Sequence, residues 1–361
     1  MKIVFLSQAS SNVLLGGAEI QIDLIINEFL NGGHDIFSIS DRIADPKPGR
    51  NGVTYLYLKS YGRRFAFLNF FPLFRLLKNL NPDLIYQRWR IPYTGIAAFY
   101  VKKYSKKMVF SIAGENDVKK NKYMLNPMLL LNIIKEGTER YGLKHADLII
   151  AQTYDQKELL KKNFCLDCIV VPNGHPVPKA AFEKSNPPIV LWVANIKPLK
   201  RLEIFLDLAK ELSNIDVRFC YVGRFFESKY KRALSQRAEN LKNVTYLGEL
   251  SLDETNEVIS RASVLVNTSY HEGFPNTFIQ AWMRETPVVS LNVNPDQILT
   301  RNEIGYCSQN FDCLVRDVRT LLTDAEKRQT MGSKARKYAI ENHDIKNIGR
   351  RYEDIFRKLI R

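Results

Sequence analysis

Short apolar runs alternate with longer amphipathic ones along nearly the whole chain. Residues 2–7 are apolar and brief, the pattern of a strand buried on both faces of a parallel sheet. Residues 18–30 then place Ile20, Leu24, Ile25 and Phe29 on one face of a helix, which Gly32-Gly33 ends. Further strands are predicted at residues 35–40, 53–58, 84–87, 108–113, 148–151 and 169–171. Helical spacing fills most of the gaps, at 73–80, 93–104, 127–143 and 155–163. The alternation breaks at Pro172-Asn173-Gly174-His175-Pro176-Val177-Pro178, and Pro187-Pro188 follows soon after. It then resumes, with strands at 189–194, 217–222, 244–247, 263–267 and 287–291 and a helix at 201–212. Ser251-Leu252-Asp253-Glu254 is a capping box that opens a helix running to Arg261. Residues 324–361 are charged and read as helical throughout.

This pattern predicts an α/β protein of two doubly wound, Rossmann-like domains. The expected division is 1–178 for the first domain, 179–340 for the second, and 341–361 as a C-terminal helix placed to pack back on the first. Ligands of such sheets sit beyond the carboxyl ends of the strands, so two domains facing across a cleft would bury a ligand there.

Composition agrees and narrows the class. At 361 residues the chain exceeds one ordinary core, and 45% hydrophobic with 25% charged residues describes a folded globular protein. No run of 18 apolar residues exists to span a membrane. Met1-Lys2-Ile3-Val4-Phe5-Leu6 turns polar at Ser7-Gln8, which is a strand and not a signal peptide, so a cytoplasmic chain is expected. Five cysteines make no disulfide framework at this length, and Cys165-Leu166-Asp167-Cys168 has no second pair to complete a zinc site. His34, His145, His175 and His343 are scattered without ligand spacing, so no metal site is expected.

The net charge of +15 is unevenly placed. Between Lys59 and Lys107 eleven Lys or Arg face one acid, Asp83. Within that stretch Arg63, Arg64, Phe67, Phe70, Phe71, Arg75 and Lys78 interleave cations with rings, as an interfacial segment requires. An anionic membrane surface is the expected partner; the plainer alternative is a helix packing its rings into the first domain. No recognised nucleic-acid motif accompanies the charge, so nucleic acid is not an expected partner.

The stretch His271-Glu272-Gly273-Phe274-Pro275-Asn276-Thr277-Phe278-Ile279-Gln280 carries the candidate chemistry. It joins an apolar strand to a helix, with Gly273 for the turn and Pro275 suited to the first helical position. The amides of Asn276, Thr277 and Phe278 would then face a phosphate, while Glu272 would reach hydroxyls on its carrier. The competing reading is a plain strand-turn-helix corner. His271 reads as a structural hydrogen-bonding residue.

Five segments in order resemble the retaining glycosyltransferases of family 4, with the GT-B architecture. They are Ile3-Val4-Phe5 with Gly16-Gly17-Ala18-Glu19, then Val170-Val171-Pro172-Asn173-Gly174, then Leu191-Trp192-Val193-Ala194-Asn195 with Lys200-Arg201. Glu272-Gly273-Phe274-Pro275-Asn276-Thr277 and Pro287-Val288-Val289 complete the set. The resemblance implies transfer, without a metal or cofactor, from a nucleotide-diphosphate sugar to a glycan or lipid-linked saccharide, with retention, in cell-surface polysaccharide assembly. It implies Glu272 and Lys200 as catalytic residues. Donor binding would fall to Gly16, Gly17, Asn195, Lys200, Arg201, Gly223, Leu250, Gly273, Phe274, Pro275, Asn276, Thr277 and Gln280.

The chain departs from the family at three positions. Gln280 stands where the family has a second Glu, and Asn195 where it has an Arg on the diphosphate. No His follows the strand at 108–113, so Glu115 or Asp117 is expected in the acceptor cleft instead, with Glu19. The other functions weighed are a nucleotide-sugar epimerase, a phosphorylase, a catalytically weakened relative and a non-enzymatic basic binding module. The expected location is the inner face of the cell membrane.

Overall fold

A computed structural model describes residues 1–7, 16–42, 50–119, 129–179 and 182–361. The chain parts into two compact units, Met1–Gly174 with Ile345–Arg361, and His175–Asp344.

The first unit holds a parallel sheet of seven strands in the order β3-β2-β1-β4-β5-β6-β7. They are β1 (Lys2–Leu6), β2 (Asp35–Arg42), β3 (Val53–Lys59), β4 (Leu84–Arg88), β5 (Lys107–Ser111), β6 (Leu148–Ala151) and β7 (Ile169–Val170). Burial on both faces explains why the central strands are apolar at alternate and intervening positions alike, with polar residues kept to their ends. Val4 and Leu6 turn to one face with Ile85 and Met108, while Ile3 and Phe5 turn to the other with Leu84, Tyr86 and Val109. Helices Phe70–Leu80 and Tyr93–Tyr104 cover the first face. Helix Gly17–Asn31 and the C-terminal helix Ile345–Ile360 cover the second, through Ile22, Ile25, Phe29, Ile348, Tyr352 and Phe356. Each such fully buried side chain contributes about 1.5–3 kcal/mol.

The second unit repeats the plan with six parallel strands in the order β10-β9-β8-β11-β12-β13. These are β8 (Ile189–Val193), β9 (Arg218–Val222), β10 (Val244–Tyr246), β11 (Val264–Asn267), β12 (Val288–Ser290) and β13 (Gly305–Cys307). Helices Leu202–Glu211 and Phe311–Thr323 pack on one face, against Trp192, Phe219 and Val266. Helices Asn276–Trp282 and Ala325–His343 pack on the other, against Leu191, Val222 and Leu265.

Several boundaries move for identifiable reasons. β5 stops at Ser111, because the Asp117 carboxylate takes the N–H groups of Ala113 at 2.7 Å and Gly114 at 3.2 Å. The run read as one helix from 324 breaks at Asp344, whose extended backbone pairs with His175. The anticipated C-terminal helix thus begins at Ile345 and lies within the first unit. The capping box at Ser251 forms as expected, with Ser251 Oγ accepting from the Glu254 N–H at 3.2 Å. Helices Ser228–Glu239 and Phe311–Thr323 and the edge strand β13 are additions to the sequence reading.

Helices Tyr93–Tyr104 and Leu129–Lys144 cross with backbones nearly touching. A β-carbon on Gly95 would run into the Thr138 carbonyl, and one on Gly142 into the Thr94 backbone. Alanine in place of glycine normally stabilises a helix. At this crossing the sign reverses: Gly142→Ala should lower the melting temperature, and Gly142→Val should cost about 1–3 kcal/mol or more. Thermal unfolding of the two variants checks it, and a higher melting temperature for Gly142→Ala would show the crossing to be loose.

Candidate active site

In the second sheet the strand order reverses between β8 and β11, and a ligand crevice opens at the carboxyl ends of strands flanking such a reversal. Residues 194–201 leave β8 there, and residues 268–276 leave β11. The two loops are bound to each other. Trp192 Nε1 donates to Thr268 Oγ1 at 2.9 Å, and Thr268 Oγ1 lies 2.8 Å from the Lys200 carbonyl and 2.9 Å from that of Arg201. Tyr270 N–H donates to the Leu199 carbonyl at 3.0 Å. Arg201, left-handed at φ 52°, sends its Nε to the Thr268 carbonyl at 2.7 Å and its Nη2 to both Ser269 O and Asn292. Its guanidinium is thereby committed to holding the loop.

This framework brings Lys200 and Glu272 together as an ion pair between half-buried side chains. Ser269 Oγ donates to the same carboxylate oxygen of Glu272 at 2.7 Å. The two residues expected to be catalytic therefore meet, from opposite sides of the strand reversal. Thr268 and Ser269 were missed by the sequence reading, which named Trp192 only as part of the run at 191–195. The polar handle of a tryptophan inside an apolar strand was the available signal, since a buried indole N–H needs an acceptor.

The helix start differs in detail from the expectation. Pro275 precedes helix Asn276–Trp282 as its cap, with extended backbone, and is not its first residue. The Phe278 N–H is taken by the Pro275 carbonyl at 3.1 Å, so it is not open to a phosphate as expected. Gly273 and Thr277 are half-buried and Phe274 is buried against Trp282 and His343. Gln280 is 3% exposed and donates to Asn256 Oδ1 at 2.9 Å, tying its helix to Leu252–Arg261. At the end of β9, Gly223 has φ 144°, and a β-carbon there would collide with the Ala194 carbonyl. Tyr246 stacks on Tyr221 and donates to Gly223 O at 2.7 Å, while Leu250 packs on the apolar cluster around Phe278. Asn195 is half-buried just beyond β8.

In the first unit, Gly16 and Gly17 open helix Gly17–Asn31, and the buried Glu19 carboxylate curls back onto Gly16. Glu115 pairs with Lys119 at 2.5 Å. Asp117, expected to face an acceptor, is buried and turned inward, accepting N–H groups from Arg90, Ala113 and Gly114. Burial pushes its carboxyl up from the ordinary value, partly offset by those donors. Cys168 is buried with its thiol pushed up to about 11, which argues against redox use of the Cys165–Cys168 spacing. Among the described residues no group of three or more His, Cys, Asp or Glu gathers to hold a metal ion.

Of the basic-aromatic segment, Phe71 is 79% exposed, Arg75 and Lys78 are exposed, and Leu73 and Leu77 are buried. Phe67 is half-buried beside Phe65, and Phe70 stacks on Phe74. The side chains of Arg63 and Arg64 lie outside the described residues. Among the described residues no helix is long and apolar enough to cross a membrane.

Two doubly wound domains, the second with a lysine–glutamate pair at its strand reversal, define a GT-B type of protein. Residues 15–177 match the family model Glycosyltransferase Family 4, and residues 177–338 match Glycosyl transferases group 1. With both models matched end to end, the chain belongs to the glycosyltransferases of this two-domain type. Solved structures share the fold at low identity. Sucrose-phosphate synthase from Thermosynechococcus elongatus superposes with TM-score 0.80 at 17% identity, covering 99% of this chain and 98% of that one. HepE of Anabaena in complex with UDP-glucose gives 0.76 at 18%, covering 99% and 100%. WaaG, a glycosyltransferase involved in lipopolysaccharide biosynthesis, gives 0.77 at 14%, covering 98% and 99%.

His175, behind the helix start, is fully enclosed; burial foremost, then Arg284 and His343, hold it down to about 3 from the ordinary 6.5, against a hydrogen bond with Asn276. Above pH 6.5 it is neutral whether folded or unfolded and contributes no pH dependence. Below that, only the unfolded chain takes up the proton, so stability should fall by up to about 1.4 kcal/mol per pH unit between 6.5 and 3. Unfolding followed across that window should show a slope that His175→Asn reduces; an unchanged slope would assign the acid sensitivity to other groups.

Proposed function

We propose that the chain transfers a hexose from a UDP- or GDP-sugar to a glycan or lipid-linked saccharide, with retention of configuration and without a metal. The observation that carries this is the Lys200–Glu272 pair at the β8/β11 strand reversal. In the reaction the sugar C1–O bond to the β-phosphate breaks, and a bond forms from C1 to the acceptor oxygen. The leaving diphosphate keeps the bonding electrons and takes the acceptor's proton, on the face it departs from. The transition state is oxocarbenium-like, so charge grows on the phosphate, and a fixed cation there lowers the barrier.

Lys200 and Glu272 neutralise each other in the ion pair. An arriving diphosphate would take Lys200 and release the carboxylate to hydroxyls of the sugar, fixing the ring for attack. Within the second unit, Gly223 and Tyr246 would border the base. The UDP-glucose bound by HepE supports a uridine donor. The lipopolysaccharide role of WaaG supports cell-surface polysaccharide assembly, while sucrose-phosphate synthase is a reminder that acceptors vary on this fold.

The first unit supports work at the inner, cytoplasmic face of a membrane. Phe71 and Leu68 stand out at 79% and 51% exposure beside Arg75 and Lys78, and Lys103 lies 5.6 Å from the Phe74 ring. Rings can enter the headgroup boundary while the cations meet anionic lipid, at about 1 kcal/mol for each.

Turnover assayed over a panel of UDP- and GDP-sugars with lipid-linked acceptors should be unaffected by EDTA. Lys200→Met should lower kcat by roughly 100-fold or more, as loss of a transition-state donor does. Activity that survives in Lys200→Met would remove the basis of the proposal. Separately, the chain should sediment with phosphatidylserine vesicles but much less with phosphatidylcholine ones. A variant carrying Phe71→Ser, Arg75→Gln and Lys78→Gln should lose that binding; equal sedimentation of both proteins would discard the membrane reading.

A further inference from the structure

β8 and β9 go on pairing beyond their formal ends. Ala194 N–H donates to Val222 O at 3.2 Å, Ile196 N–H to Arg224 O at 2.8 Å, and Phe226 N–H to Ile196 O at 3.3 Å. Ile196 bridges Phe225 in parallel, in the register that sets Val193 opposite Val222. Side chains alternate along such a ladder, and partners in register share a face. Ile196 and Phe225 turn to the core, so Asn195, Lys197, Arg224 and Phe226 lie together on the other face. Ring contacts agree: Lys197 Nζ stands 4.1 Å from the Phe226 centroid, and Arg224 Cζ 5.5 Å from it.

Arg224 is therefore the register neighbour of Asn195, the position at which the family resemblance implies a diphosphate-binding arginine. Arg201 is poorly placed to make good the loss, because its Nε and Nη2 are held by Thr268, Ser269 and Asn292. Arg224 and Phe226 are exposed, and no carboxylate is paired with Arg224 or Lys197 among the described residues. Two cations drawn to one ring repel each other, and an anion held between them offsets that repulsion. We propose that Arg224, with Lys197 beside it on Phe226, binds the donor's diphosphate in place of the arginine missing at 195. The proposal rests on the nucleotide-sugar reading above.

Binding of UDP, UMP and uridine to the full chain, measured by calorimetry, tests it, with the guanosine series run in parallel. Wild type should prefer the diphosphate to the monophosphate. Arg224→Gln should lose roughly tenfold or more of diphosphate affinity while keeping that for monophosphate and nucleoside, and Lys197→Gln should lose less. Adding Asn195→Arg to Arg224→Gln should restore the diphosphate preference, because it returns a guanidinium to the same face. Retained monophosphate binding doubles as the control for folding. If wild type binds UDP or GDP and Arg224→Gln binds it equally well, or loses diphosphate and monophosphate alike, the assignment is wrong while the donor reading stands. If wild type binds none of these nucleotides, both fall.

Discussion

A parallel sheet covered by helices on both faces has nowhere to keep polar side chains except at its strand ends. In the second unit β8 is apolar throughout and β11 as far as Val266, and their residues are nearly all inaccessible to water. Chemistry can begin only where the strands stop. The reversal of strand order between these two strands keeps any crossing connection from closing over that edge. Lys200 and Glu272 occupy it, and the bonds of Thr268, Trp192 and Arg201 beneath them hold the two loops at a fixed spacing. The ion pair is thus a product of the sheet, not of the loops alone.

The same constraint governs the first unit, where strand ends carry a buried polar network. Tyr93 donates to Asp41 at the end of β2, and Asn69 donates to Tyr93 at 2.6 Å. Burial raises the Asp41 carboxyl, against the hydroxyls of Tyr93 and Ser60 that donate to it. Arg88 at the end of β4 reaches Asn173 at 2.6 Å, which donates to Gln152 at 3.0 Å. Polar groups taken this far out of water cost several kcal/mol each unless partnered, so such chains of contacts fix the loop conformations around them.

Two neighbouring cations in the second unit, Lys200 and Arg201, play different parts. Arg201 is structural, its charge spread over backbone carbonyls at the end of β11. Lys200 is paired with a carboxylate that a substrate could displace. That difference is set by geometry alone, since the two residues are neighbours in the chain. Guanidinium, with its fixed fork of donors, suits several carbonyls at once, whereas a single ammonium suits one exchangeable partner.

Much of this was readable from the chain itself. Short continuous apolar runs and helical spacing made both doubly wound sheets legible, because burial on two faces leaves a run without alternation, as at β1, β4, β8 and β11. The edge strand β13, three residues with one glycine, carries too little signature to stand out. Lys200 and Glu272 were legible as types at the right places in the order of segments. Their contact was not, being made across 72 residues by strand pairing. Nor could sequence show that Asp117 faces inward, that Gln280 spends its amide on Asn256, or that Arg224 stands beside Asn195. Local pattern reports how a segment buries its own surface; which side chains then meet is decided by register and helix packing between segments far apart, and only the folded chain sets those.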